Sequence, residues 1–391
     1  MKFKVFSKIR FFFLIYSVMI FSACHDSDKI EPEYGERTVL IYMAADNNLN
    51  KDGETNIKSI LKGMEQTAGR LVIYIDPRYD VPRLLTVKGG KGCRLDTLET
   101  YTEENSASPE VLARVVKEVQ KRYPASSYGL VLWSHGLGWV PPEYSFPGGY
   151  AMRLPDPDMP RTKYYAEDEH PGTTGKAYMD IREMAARLPG HFNFILWDVC
   201  FMGGIEVAYE LRNKTDYMIA SPAEVISDGF PYEKMMPLLW GGEEAMKQIC
   251  REYYNHYNKY QVNSLWRSAV VGLVKTEELE PLVAKVRTLL AGKTDYVRAW
   301  HYPLSKGGLP IVFFDFGDYI RKMTTEEEYN SFKKQLDRVV IYKAATEKLF
   351  GEEVPADKFS GLTSYIPFSE WSDMNTYYYT LDWGATVYEN N

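Results

Sequence analysis

Histidine and cysteine are scarce in this chain of 391 residues, six and four in all. No other cysteine or histidine stands near His135 or Cys200 at metal-ligand spacing, which argues against a zinc-type site around either. No glycine-rich dinucleotide fingerprint and no P-loop follows any apolar run, and no set of acids has EF-hand spacing. A basic excess is missing as well: 46 Lys and Arg face 53 Asp and Glu, a formal net charge of -7. Lys2, Lys4, Lys8 and Arg10 fall in a leader-like stretch without acids, so the remainder is more acidic still. This balance argues against nucleic acid or an anionic membrane surface as the principal partner. No apolar run reaches the roughly 20 residues of a spanning helix, and no internal repeat is present.

The apolar share, 45% of residues, suffices for one large core or two smaller ones without metals or disulfides. Tyrosine outnumbers phenylalanine, 30 to 18, which points to half-buried rings whose hydroxyls reach water or a peptide or carbohydrate ligand. The leading basic residues precede the apolar run 11–20, followed by Phe21-Ser22-Ala23-Cys24, the charge pattern of a secretory signal over 1–23. Small residues before Cys24 resemble a bacterial lipobox, which makes Cys24 the expected lipidation site and first mature residue. The acidic, aperiodic stretch 24–36 reads as a flexible tether and resembles the surface-export signal of Bacteroides-type lipoproteins. The expected place is the cell envelope, as an outer-membrane lipoprotein with a lipid anchor. With Cys24 modified, Cys93, Cys200 and Cys250 remain, an odd number that leaves at least one thiol free or paired outside the chain.

Four nearly continuous apolar runs, 38–45, 71–75, 128–134 and 192–197, read as strands covered on both faces. Helix-spaced apolar residues over 109–123 and near 179–188 precede the third and fourth. Alternation of this kind predicts an α/β fold, a mostly parallel sheet with helices on both faces. Further strands are expected at 217–220, 268–273, 311–316 and 362–367, and helices at 243–260, 277–290 and 326–349. The domain reading is a core over 37–235 with a long loop at 140–175, then a C-terminal subdomain over 236–391 with helices and returning strands.

In an open parallel sheet the ligand site lies beyond the C-terminal strand ends. Asp46-Asn47-Asn48, Ser134-His135-Gly136 and Asp198-Val199-Cys200 all fall at that edge. If the third and fourth strands are neighbours, His135 and Cys200 share one loop layer, a general base beside a nucleophile. The backbone amides of Gly136 and Cys200 are then a reasonable oxyanion hole. Taken singly, Cys200 also reads as a small buried hydrophobe and His135 as a loop anchor. Asp46 reads as a loop-holding carboxylate rather than an acid or base.

The runs 38–49, Trp133-Ser134-His135-Gly136-Leu137-Gly138-Trp139 and Asp198-Val199-Cys200-Phe201-Met202-Gly203 resemble the clostripain family of cysteine peptidases, as does Ser360-Gly361-Leu362-Thr363-Ser364-Tyr365-Ile366-Pro367. The resemblance implies the caspase-like fold of gingipains and legumains, with His135 moving the proton and Cys200 forming a thioester acyl-enzyme. It implies cleavage after arginine or lysine, with Asp198 lining the S1 pocket. Asp228 and Glu224 are candidates for a second pocket charge, and a turn-holding carboxylate remains the other reading of Asp198. Calcium enters as a cofactor only through the resemblance.

The loop 140–175 carries Arg153, Arg161 and Lys163, which an enzyme specific for basic residues is able to cut in itself; a surface insertion shaping the cleft is the alternative. The reading is thus a monomeric, lipid-anchored endopeptidase acting on peptide or protein substrates. Two others stay open: a non-catalytic peptide- or glycan-binding surface lipoprotein on the same fold, and a cysteine amidohydrolase or transpeptidase of cell-wall peptides.

Overall fold

The computed structural model describes residues 35–141, 157–163, 179–260, 264–305 and 311–388. The signal segment, Cys24, most of the tether and Arg153 lie outside the described residues.

The first half of the chain alternates as its hydrophobic pattern predicts. Strand β1 (Gly35–Ala45) leads through α1 (Asn50–Met64) to β2 (Arg70–Pro77), the antiparallel pair β3 (Arg83–Lys88) and β4 (Arg94–Thr100), α2 (Pro109–Arg122) and β5 (Ala125–Trp133). Then come α3 (Ile181–Arg187), β6 (Phe192–Asp198), α4 (Ile205–Glu210) and β7 (Thr215–Ala220). Local chemistry sets the helix starts: Ser108 accepts the amides of Glu110 and Val111, and Asp180 those of Arg182 and Glu183. The second half adds α5 (Tyr232–Met235), α6 (Glu243–Asn258), β8 (Val270–Lys275), α7 (Leu279–Leu290), β9 (Phe314–Asp315), α8 (Phe316–Met323), α9 (Glu326–Val339) and β10 (Val340–Ala345).

Nine of these strands form one sheet in the order β10-β8-β7-β6-β5-β1-β2-β3-β4. The centre, from β7 to β2, is parallel, and both flanks are antiparallel. Consecutive residues Leu71–Ile75 are all buried, so both faces of β2 are covered. One group of touching helices, α1, α5 and α6, and another, α2, α3 and α4, supply the cover.

The structure departs from the sequence reading at four places, one of them the stretch 362–367, in which only Thr363–Ser364 are strand, paired with β9. The β3–β4 hairpin was not foreseen, because β4 is a largely exposed edge strand with no apolar run to announce it. The helix expected over 326–349 stops at Val339, where a β-branched run turns into β10 and pairs with β8. The apolar stretch 311–316 contributes only the two residues of β9 to strand and then enters α8. Strands β8 and β10, both beyond residue 236, complete the same sheet that carries β5 and β6.

Candidate active site

Register brings the predicted loops into one layer. Met43 of β1 stands opposite Trp133 of β5, and Trp133 stands opposite Asp198 of β6, so β5 and β6 end level and β1 runs two residues further. After β1, the Asn47 carboxamide oxygen accepts the amide of Leu49 at 2.9 Å, an Asx turn that presents Asn48. Oδ1 of Asn48 lies 2.7 Å from Nε2 of His135. An amide oxygen only accepts, so Nε2 carries the ring hydrogen and Nδ1 is the basic nitrogen. The expectation for this loop centred on Asp46, which is buried; Asn48 went unassigned although it stands in the same polar strand-end run.

After β6 the chain turns at Phe201, whose φ of 60° is left-handed and strained for an aromatic residue. The turn is held by the loop following β7: Phe201 N donates to Ala223 O at 3.0 Å and Gly203 N to Ser221 O at 2.8 Å. The sulfur of Cys200 accepts the amide of Val225 at 3.0 Å. From below, Thr363 of the C-terminal motif donates its amide to Gly203 O at 2.9 Å, and Tyr365 donates its amide to the buried Glu206 at 2.7 Å.

Neither side chain of this pair reaches solvent freely: Cys200 is 0% and His135 7% exposed. The chain itself fills the cleft. Residues 161–163 run antiparallel to 225–227: Lys163 N donates to Val225 O at 2.8 Å and Ser227 N to Arg161 O at 2.8 Å, with Thr162 paired to Ile226. Val225 therefore holds this segment through its carbonyl and the sulfur of Cys200 through its amide. The carbonyl oxygen of Lys163 accepts the amide of Gly136 at 3.3 Å, the donor foreseen for the oxyanion hole. A Cβ at Gly136 would lie 2.3 Å from Val199 Cγ1, so only glycine lets the two loops approach this closely. The Cys200 amide, foreseen as the second donor, makes no hydrogen bond to that carbonyl among the described residues.

The Lys163 side chain is fully buried, and its ammonium lies 2.7 Å from Oδ2 of Asp198, itself fully buried. The same ammonium sits 4.4 Å from the centroid of the Trp133 ring, a cation–π contact. Tyr232 donates its hydroxyl to Oδ2 of Asp198 at 2.9 Å. Gly229, with φ of +73°, closes the pocket: a Cβ there would lie 2.4 Å from Asp198 Oδ2 and 2.7 Å from the ammonium. Burial pulls the Lys163 pKa down, and the Asp198 carboxylate opposes it. The Cys200 thiol is pushed well above its ordinary range, first by burial and next by the charge of Glu224, with Lys163 acting the other way. With the segment in place burial thus disfavours the thiolate, so attack by the sulfur depends on a base that takes its proton.

Of the two candidates for a second S1 charge, Asp228 lies within electrostatic reach of the Lys163 ammonium, which opposes the rise of its carboxyl pKa caused by partial burial, whereas Glu224 meets Thr162 on the other side of the segment. Glu224 is buried and accepts the Thr162 hydroxyl at 2.6 Å, together with the amide and hydroxyl of Ser305 at 2.7 and 2.6 Å. Asp228 is exposed; its carbonyl accepts Asn56 at 2.9 Å, and the Asn56 side-chain oxygen accepts the Trp133 indole at 2.7 Å. The parts played by Trp133, Gly229, Tyr232 and Ser305 were not foreseen, because these residues reach the cleft from three separate stretches of sequence. Cys93 and Cys250 are free thiols, as is Cys200. Among the described residues no group of three or more His, Cys, Asp or Glu is placed to hold a metal ion.

The model of the clostripain family matches residues 41–388. Among solved structures, an inactive zymogen C11 protease from Parabacteroides distasonis is 34% identical, with 91% of this chain and 99% of that one covered and a TM-score of 0.74. A secreted C11 cysteine protease from Bacteroides thetaiotaomicron, solved with an irreversible peptide inhibitor, is 28% identical, with 90% and 99% covered and a TM-score of 0.74. Clostripain of Hathewaya histolytica is 25% identical over 235 residues, which make up 52% of this chain and 42% of that protein. The match thus spans less than half of clostripain's length.

Proposed function

We propose, from the premise that the chain belongs to the clostripain family of cysteine peptidases, that it is an endopeptidase cutting after lysine or arginine and that its first substrate is its own Lys163–Tyr164 bond. The observation that carries this reading is the seating of Lys163, side chain on Asp198 and carbonyl oxygen on the Gly136 amide, beside Cys200. A segment held as an added antiparallel strand, with one side chain in a charged pocket, is how extended peptides are presented for cleavage. Asp198 Oδ1 has no hydrogen-bond partner among the described residues, which leaves a second acceptor for the fork of an arginine.

In the proposed reaction Nδ1 of His135 takes the thiol proton as the Cys200 sulfur bonds to the Lys163 carbonyl carbon. The negative charge moves to the carbonyl oxygen, stabilised by the Gly136 amide. Collapse of this adduct breaks the bond to the Tyr164 nitrogen, which receives the proton from His135. Water, deprotonated by the same imidazole, then releases the thioester as the Lys163 carboxylate, and its departure opens the cleft to other peptides. The test is dye release from lysine- and arginine-terminated amides: the expected result is turnover by the wild type and none by folded Cys200→Ala. Equal turnover by the two proteins contradicts the role of Cys200.

The lipid anchor belongs to the same proposal and rests on residues 1–24. Membrane fractionation is expected to find the wild type with the envelope and Cys24→Ser released from it; identical distributions contradict the anchor.

A further inference from the structure

Antiparallel pairing of 161–163 with 225–227 alternates the side chains, so Lys163 and Arg161 share one side and Thr162 faces the other. The first two meet acids. Lys163 meets Asp198, and the Arg161 guanidinium donates to Asn48 O at 2.9 Å and lies 3.3 Å from Asp52 at the exposed rim. Thr162 meets something more specific. Its hydroxyl donates at 2.6 Å to Oε2 of Glu224, a carboxylate only 2% exposed, whose other contacts include the amide and hydroxyl of Ser305, also 2% exposed.

Resting on the peptidase reading above, we propose that Glu224 and Ser305 form the second specificity pocket, which selects threonine or serine immediately before the basic residue in peptide substrates. A buried carboxylate is stable only with enough donors around it. A P2 threonine supplies one. Valine has the same shape without the hydroxyl and takes away one donor to the buried carboxylate while those of Ser305 stay, and a site built to bond a hydroxyl rejects such an isostere. Aspartate at P2 adds like charge to a buried acid and is rejected more strongly. Glu224 is therefore a specificity residue one subsite removed from the pocket charge expected of it. The substrate class sharpens from any basic peptide to one carrying Thr-Lys or Ser-Lys, with arginine before it favoured at the rim.

The experiment compares dye-releasing peptides Arg-Xaa-Lys with Xaa as Thr, Ser, Val, Ala or Asp, on the full-length enzyme after its own cleavage is complete. The expected kcat/KM for Thr exceeds that for Val by about ten- to a hundredfold, with Ser close to Thr and Asp lowest. Glu224→Leu is expected to abolish the Thr-to-Val ratio, and the wild-type series stands alone if that variant does not fold. Equal kcat/KM for Thr and Val in the wild type, with lysine peptides still cut, overturns the P2 pocket and leaves the peptidase reading intact. Failure to cut any of the peptides contradicts the peptidase reading, and the pocket falls with it.

Discussion

Replacing Asp198 by asparagine is expected to lower kcat/KM for lysine- and arginine-terminated amides roughly 30- to 5,000-fold. That range corresponds to the about 2–5 kcal/mol lost when one partner of a buried, hydrogen-bonded charge pair is neutralised. The geometry places the effect at this end of the scale rather than with surface pairs, which are worth about 1 kcal/mol or less. Asp198 and Lys163 are both 0% exposed, their charged atoms are 2.7 Å apart, and Trp133 covers the ammonium. Asparagine keeps an oxygen for the Tyr232 hydroxyl, so the fold loses little while the ammonium loses its counter-charge. The discriminating readout is the ratio of basic to neutral P1 residues. Wild type is expected to prefer Arg and Lys over Gln and Leu by orders of magnitude, and Asp198→Asn to erase most of that preference. Equal rates for all four P1 residues in the wild type contradict an electrostatic pocket.

Lys163→Ala is expected to slow self-cleavage at this position by roughly 30- to 5,000-fold, since it removes the same buried charge pair from the intramolecular reaction. The wild-type rate benefits from a carbonyl already seated on the Gly136 amide, so no encounter has to be arranged before attack. While the bond is intact, 161–163 occupy the cleft and the Cys200 thiol is buried with its pKa raised. Turnover of added peptides is therefore expected to rise in step with cutting of the chain and to remain low in Lys163→Ala. Full peptide turnover by an uncut Lys163→Ala chain contradicts the seated segment as a block.

Much of this arrangement is legible in the sequence. Continuous apolar runs announce strands buried on both faces, and the polar residues that end them, His135 and Cys200 among them, fall where a parallel sheet gathers its loops. The pairing of β5 with β6 brings those two loops together. Other features had no local signal. The exposed β4 carries no apolar pattern, and the change from α9 to β10 at Val340 depends on pairing with β8. Asn48 lies 87 residues from His135 in sequence, and Glu224 lies 62 from Thr162, so neither contact shows in any sequence window. Lys163 was visible as a basic residue in a long loop, but its place on Asp198 depends on packing across 35 residues. Glu224 shows the limit most clearly. Its charge and its loop marked it for the cleft, while the pocket it lines depends on Ser305, 81 residues away.

The central claim is that Cys200 attacks the carbonyl of Lys163 in its own chain, and the most direct measurement is the N-terminal sequence and mass of the fragments. Purified wild type is expected to yield a fragment beginning Tyr164-Tyr165-Ala166-Glu167-Asp168, absent from Cys200→Ala prepared in parallel. One uncut chain in fully active wild-type enzyme, or the same fragment arising in purified Cys200→Ala, contradicts it.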